Sequence, residues 1–204
     1  MLRPATQRYL VSKRVIDVVV CLLLLVVVIP ALAACALAIA LDSAGPIFFA
    51  QERTGRDGRR FRMLKLRTMV ADAEERKAAL AHLNTLPPPD FKIPNDPRIT
   101  RVGRFLRATS LDELPQLFNV LRGDMSLVGP RPTSFSADSY DLWHTHRLDV
   151  APGITGLWQI EGRNVTTFDE RLRLDVQYIR RRSLWFDLQL LARTVLVVLR
   201  RSGA

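Results

Sequence analysis

From Val18 to Leu41 the chain carries no charged residue. As a helix, these 24 residues would be about 36 Å long, more than the roughly 30 Å hydrocarbon core of a bilayer. The pattern changes after Gly45-Pro46. Ile47 to Ala50 reads as a strand, Gly55-Arg56-Asp57-Gly58 as a turn, and Phe61 to Met69 as the returning strand, with Lys65 and Arg67 on one face by its period of two. Ala71 to Leu86 has the pattern of a helix that is polar on one side, ended by Pro87-Pro88-Pro89. Val102 to Ala108 is a short element. Asp112 to Arg122 reads as a helix stopped by Gly123. Pro130 to Gly156 has no clear period. Phe168 to Arg181 reads as a helix opened by the capping box Thr167-x-x-Glu170. Leu184 to Leu199 is a largely apolar helix that suits a core or a membrane interface, and the interface is favoured.

Two features of the apolar run argue against a simple span. Pro30, near its middle, removes a helix hydrogen bond and favours a break. Both flanks are basic: Arg3, Arg8, Lys13 and Arg14 precede it, and Arg53, Arg56, Arg59 and Arg60 follow. Positive residues stay on the cytoplasmic side, so both ends are expected there, with a helix that enters, breaks at Pro30 and returns. A straight span is the alternative. The basic start also resembles a signal peptide, but the run is long for one and retention is expected. Helical spacing pairs Asp17 with Lys13 or Arg14.

Charge adds a constraint. A net charge of +10 in 204 residues, carried mostly by Arg, points to anionic partners. Cys21 and Cys35 both lie in the apolar run without metal-binding spacing, as expected of small core residues in a reducing cytosol. His144-x-His146 lacks an evident third metal ligand. No P-loop, GxGxxG, Gly-x-Ser-x-Gly or Asp-x-Asp pattern occurs.

Of the acidic pairs, Glu74-Glu75 reads as solvated surface and Asp169-Glu170 as part of a helix cap. Asp112-Glu113 is open between two readings. Ser110-x-x-Glu113 is itself a capping-box pattern, although Pro115 would then fall inside the helix, where its missing N–H is costly. The other reading is catalytic. Arg104 and Arg107 precede the pair, and Arg131 follows in the stiff Gly129-Pro130-Arg131-Pro132 turn. In phosphoryl transfer Arg clamps phosphate oxygens, a carboxylate attacks phosphorus or holds a metal, and Mg²⁺ spreads charge.

Several ordered blocks make the chain resemble the bacterial sugar transferases, monotopic phosphoglycosyl transferases that start glycan assembly on polyprenyl phosphate. They are Lys13-Arg14-x-x-Asp17, the run with Pro30, Gly45-Pro46-Ile47-Phe48-Phe49-x-Gln51-x-Arg53-x-Gly55, and Lys65-Leu66-Arg67-Thr68-Met69. Asp96-Pro97-Arg98-Ile99-Thr100-x-x-Gly103, Ser110-Leu111-Asp112-Glu113-Leu114-Pro115-Gln116 and Gly129-Pro130-Arg131-Pro132 follow. Pro152-Gly153-Ile154-Thr155-Gly156-x-Trp158-Gln159 and Gly162-Arg163 complete the set.

The resemblance implies that Asp112 is the nucleophile toward a UDP-sugar, releasing UMP and passing the phosphosugar to polyprenyl (undecaprenyl) phosphate. It implies that Glu113 assists, with Asp112 and Glu113 beside Mg²⁺. Arg107, Arg131, Lys65, Arg67 and Arg163 match basic positions suited to phosphates or nucleotide. The expected architecture is α+β and mainly helical. A basic segment and re-entrant membrane helix (1–44) precede a compact cytosolic catalytic domain (45–204) with a β-hairpin and amphipathic interfacial helices. Its implied place is the cytoplasmic face of the bacterial inner membrane. Ile29 stands where many members have Ser before the membrane Pro, and larger members carry several transmembrane helices before this core. The tail from Trp158 to Leu199 resembles exopolysaccharide-type members, pointing to glucose or galactose. A homo-oligomer is compatible with the sequence, and no nucleic-acid motif is present. The competing class is a non-enzymatic, membrane-anchored basic module that binds acidic lipid or scaffolds glycan enzymes.

Overall fold

A computed structural model describes residues 6–85, 91–136, 143–161 and 167–199. The chain is mainly helical, with two small sheets. Helix α1 runs Gln7–Asp42, capped at its start by the Thr6 hydroxyl, which accepts from the Tyr9 amide. It is helical through Pro30, and among the described residues it is the one helix long and apolar enough to cross a membrane.

The buried residues of α1 form one stripe: Asp17, Cys21, Leu25, Val28, Leu32 and Ile39. The three- and four-residue steps from Asp17 to Leu32 keep one face turned inward. Pro30 is exposed, as are Leu22, Leu23, Val26, Val27, Ile29, Leu37 and Leu41. An apolar surface of this extent costs free energy in water and marks a contact with something apolar.

Strands β1 (Phe48–Thr54) and β2 (Arg60–Leu66) form an antiparallel hairpin in which Phe49 faces Lys65. Helix α2 (Arg101–Thr109) starts at Thr100, whose hydroxyl accepts from the Gly103 amide. Helix α3 (Gln116–Arg122) starts after Pro115, where the missing N–H is harmless, and ends at Gly123 (φ +92°). Strands β3 (Ser126–Val128) and β4 (Gly153–Thr155) pair in parallel. Helices α4 (Leu157–Glu161), α5 (Phe168–Arg181) and α6 (Leu184–Leu199) follow. Helix α5 carries the expected Thr167–Glu170 capping box.

The hydrophobic core joins the inner stripe of α1 to Met63 and Leu66 of β2, Leu106 of α2, Leu117 and Val120 of α3, and Leu190 of α6. Polar ties hold α1 at both ends. Near the start, Arg14 donates to the carbonyls of Val120 (2.5 Å) and Leu121 (2.7 Å), and Lys13 pairs with Asp187 at 3.0 Å. Tyr9 and Tyr178 also donate to Asp187. At the far end, Asp42 accepts from the Val102 amide, and Arg67 donates to the carbonyls of Ser43 and Ala44.

Three expectations are corrected. Asp17 does not pair with Lys13 or Arg14; it accepts from the Ser126 hydroxyl (2.7 Å) and the Leu127 amide (3.2 Å), while both cations bind elsewhere. Residues 71–83 are turns with short 3₁₀ segments at Glu75–Lys77 and Ala81–Leu83. None of these residues is buried, so no packed face sustains an α-helix there. The expected helix Asp112 to Arg122 is divided at Pro115 into a 3₁₀ turn (Leu111–Glu113) and α3.

Asn119 ties the hairpin to α3. Fully buried, it accepts from the Leu64 amide (2.9 Å) and donates to the Arg62 carbonyl (2.8 Å). Asn119→Ala leaves both backbone groups unpaired, so it is expected to cost about 2–4 kcal/mol in denaturant unfolding. A loss below about 0.5 kcal/mol would contradict this tie.

Candidate active site

Asp112 and Glu113 sit on the 3₁₀ turn between α2 and α3. The preceding Ser110 adopts a left-handed conformation (φ +58°) and turns the chain sharply. Its side chain makes no capping hydrogen bond, and Glu113 does not reach back to it. The Glu113 carboxylate is instead held by two cations from distant parts of the chain. Lys65 of β2 donates to it at 2.9 Å, and Arg131 donates at 2.5 and 3.4 Å. The capping reading of Ser110-x-x-Glu113 therefore fails.

Asp112 is bound more loosely. Its nearest cation is Lys65 at 3.9 Å, and the residue is only 8% exposed. Arg107, on the last turn of α2, is steadied by its bond to the Thr68 hydroxyl (2.8 Å) and acts on Asp112 through its charge. Lys65, Arg107 and Arg131 thus set three cations against two carboxylates, leaving net positive charge for an anion.

The two acids are driven apart. Burial pushes the Asp112 carboxyl above the ordinary aspartate range; Lys65, Arg107 and Arg131 oppose the rise, and the Glu113 charge adds to it. Burial also works against ionised Glu113, but Arg131 and Lys65 outweigh it and hold this carboxyl well below the usual range. Burial pushes the Lys65 ammonium down, with Glu113 opposing. Neighbouring acids with opposed shifts suit different roles.

Arg131 owes its place to the sheet of β3 and β4. The Gly129 amide donates to Thr155 and the Gly153 amide to the Pro130 carbonyl, both at 2.9 Å. A Cβ on Gly129 would lie 2.5 Å from the Ala151 carbonyl oxygen, so only glycine permits this approach.

The site opens into a cavity of about 950 Å³. Its lining includes Lys65, Thr68, Arg107, Asp112, Glu113 and Arg131, and also the apolar side chains of Leu24, Val28, Phe48, Leu191 and Val197. Trp158 and Gln159 also border it, with Arg171 5.6 Å from the Trp158 ring centre. Asp112, Glu113, Lys65, Arg107 and Arg131 therefore come together as expected. Arg67 borders the cavity, but its hydrogen bonds go to the end of α1. Arg163 lies outside the described residues. Thr68, whose hydroxyl holds Arg107, is not singled out by the sequence, although it stands inside the Lys65 to Met69 block.

Metal-binding groups are sparse. Among the described residues no cluster of three or more His, Cys, Asp or Glu side chains occurs. His144 lies 3.2 Å from Asp169, whereas His146 faces Asp149 at 3.7 Å, so the two do not converge.

The chain belongs to the bacterial sugar transferase family, whose signature matches residues 8–201. It is 51% identical over 162 residues (78% of this chain, 36% of the relative) to the galactosyl transferase CpsE of Streptococcus agalactiae. It is 44% identical over 200 residues (94% and 41%) to the undecaprenyl-phosphate galactose phosphotransferase of Salmonella typhimurium. With the UDP-glucose:undecaprenyl-phosphate glucose-1-phosphate transferase of Caulobacter vibrioides it shares 45% identity over 192 residues (90% and 68%). The chain spans about two fifths of the length of the first two of these relatives.

Two substitutions separate a cap from a turn. Thr167→Ala, at a true cap, is expected to cost about 1 kcal/mol in thermal or denaturant melts. Ser110→Gly is expected to be neutral or to stabilise by up to about 1 kcal/mol, because glycine relieves the left-handed backbone. A loss of a few tenths of a kcal/mol or more in Ser110→Gly, the cost of replacing a capping hydroxyl by glycine, would restore the capping reading of Ser110.

Proposed function

We propose that the chain is a phosphoglycosyl transferase that moves a hexose 1-phosphate from a UDP-sugar to undecaprenyl phosphate, with Asp112 as nucleophile. The observation that carries this reading is the asymmetry of the acidic pair. Glu113 is bound by Lys65 and Arg131, while Asp112 is desolvated, loosely paired and faces the cavity. A carboxylate stripped of hydration is the better attacking group.

An Asp112 oxygen attacks the phosphorus that carries the sugar, and the bond from that phosphorus to the UMP oxygen breaks. UMP leaves, and the phosphosugar remains as an acyl phosphate on Asp112. An oxygen of the lipid phosphate then attacks the same phosphorus. The bond to Asp112 breaks and the carboxylate is regenerated. Arg107 and Arg131 take up charge on the transferring phosphoryl group. Glu113 keeps Lys65 and Arg131 in place, and Arg163 is assigned to the nucleotide.

Mg²⁺ fits this donor set in part. Asp112 would hold the ion, which would supply neutralisation of the charge developing on the phosphates. The Glu113 oxygens already face Arg131 and Lys65, so Glu113 suits it less well.

The sugar is proposed to be galactose or glucose, after the names of the relatives. Residues 1–44 form the membrane part and 45–204 the catalytic part, on the cytoplasmic face of the bacterial inner membrane. A re-entrant course for α1 is supported by its ties at both ends to one domain and by its exposed apolar surface around Pro30. The outer face of α6, with Trp185, Leu188, Val195 and Leu196 exposed, suits the lipid interface. A purely lipid-binding basic module gives no reason for a desolvated carboxylate in a cavity.

With UDP-galactose or UDP-glucose, Mg²⁺ and undecaprenyl phosphate, the intact chain is expected to release UMP. Asp112→Asn is expected to reduce release at least about 1,000-fold, and near-normal activity in this variant would refute the nucleophile. The acid limb of kcat/KM is expected above the ordinary aspartate value, because the attacking carboxyl must be ionised and burial raises its pKa. Lys65→Met removes a cation that lowers this pKa, so the limb should move further up; an unmoved limb counts against Asp112 as the titrating group. For topology, single cysteines at Gln7 and Asp57, with Cys21 and Cys35 changed to Ser, should both be labelled from the cytoplasmic side. Labelling from opposite sides would establish a straight span.

A further inference from the structure

Behind the reactive turn lies a second buried ion pair. Arg147, in the 3₁₀ segment His144–Asp149, is 2.9 Å from Asp175 of α5. Arg147 is 6% exposed and Asp175 1%. The same Arg147 nitrogen donates to the backbone carbonyl of Arg131. The preceding carbonyl, that of Pro130, is held by the Gly153 amide. Successive carbonyls of the Pro130-Arg131 unit are thus fixed from two directions. The Arg131 guanidinium reaches from this unit to Glu113, and Glu113 holds Lys65, which faces Asp112.

We propose that the Arg147–Asp175 pair is a positioning device that fixes the backbone of Arg131, and through it the charge clamp around Glu113 and Asp112. This rests on the reading of Asp112 and Arg131 as catalytic machinery. Stability alone is a poor reason for the pair, because desolvation offsets much of the attraction between buried ions. That cost is visible at Asp175: burial pushes its carboxyl up to about 7, with Arg147 and Arg171 opposing. One terminal nitrogen of Arg147 meets both partners: it donates to the Arg131 carbonyl and lies against Asp175 Oδ2 in an electrostatic contact without hydrogen-bond geometry.

The test uses the full chain in lipid nanodiscs with UDP-galactose or UDP-glucose, Mg²⁺ and undecaprenyl phosphate. Arg147→Lys and Asp175→Asn are each made with Arg131 intact and with Arg131→Ala. With Arg131 intact, each is expected to lower kcat/KM about ten- to a hundredfold, as small misplacements of a reacting group do. In the Arg131→Ala background the further loss should stay below about twofold, because the positioned group is gone. A pair with a purely structural role would give the same loss in both backgrounds, and that result overturns the proposal. If Asp175→Asn does not fold, Arg147→Lys decides. Hydrogen exchange of the peptide spanning residues 127–135 supplies a readout independent of turnover: it should accelerate in Arg147→Lys while α1 is unchanged. Unchanged exchange at 127–135 refutes the positioning role even if the intact chain releases no UMP, an outcome that would count against the proposed reaction instead.

Discussion

Two adjacent carboxylates withdrawn from water repel each other, and much of the architecture around them supplies and holds the cations that let them coexist. The cations come from different elements: Lys65 from the hairpin, Arg107 from the end of α2 and Arg131 from the turn after β3. Each has its own support. Asn119 ties the hairpin to α3, Thr68 steadies Arg107, and the parallel pairing of β3 with β4 sets the backbone of Arg131. Glu113 takes two of the cations, so the burden of desolvation falls on Asp112. The two acids differ in neighbours more than in depth of burial.

The same economy of contacts joins the apolar helix to the site. Its inner stripe belongs to the protein core, and its outer face is left apolar. Asp17, which would be costly to expose to lipid, is turned inward and bound by Ser126 and Leu127 beside the sheet that carries Arg131. Leu24 and Val28 border the cavity that also holds Asp112. A substrate with a charged head and a hydrocarbon tail finds both chemistries in one space.

Much of this was legible in the residues, and the failures have physical causes. Helix α5 falls where its capping box places it and α6 where its apolar run lies, because those signals are local. The hairpin was readable from its turn residues to within a few positions. Residues 71–83 looked helical, but periodicity does not reveal whether a surface exists to pack against. Asp17 was assigned a partner by helical spacing, which is blind to residues more than a hundred positions away. The three-residue strands β3 and β4 are too short to carry a period. At the site, Asp112, Glu113, Lys65, Arg107 and Arg131 were identifiable as a group. What separates Asp112 from Glu113 depends on which carboxylate the distant cations reach, and that is a tertiary fact. Arg67 was placed beside Lys65 by strand alternation, but β2 ends at Leu66 and the next side chain turns to the end of α1.

The central claim is that Asp112 carries the phosphosugar. It is tested most directly by incubating the protein with UDP-galactose or UDP-glucose and Mg²⁺ in the absence of lipid acceptor, then measuring its intact mass and mapping any adduct by peptide fragmentation. The account predicts a gain of one hexose phosphate, located on Asp112 and discharged when undecaprenyl phosphate is added. An adduct on another residue, or lipid-dependent UMP release with no adduct at any time, would contradict it.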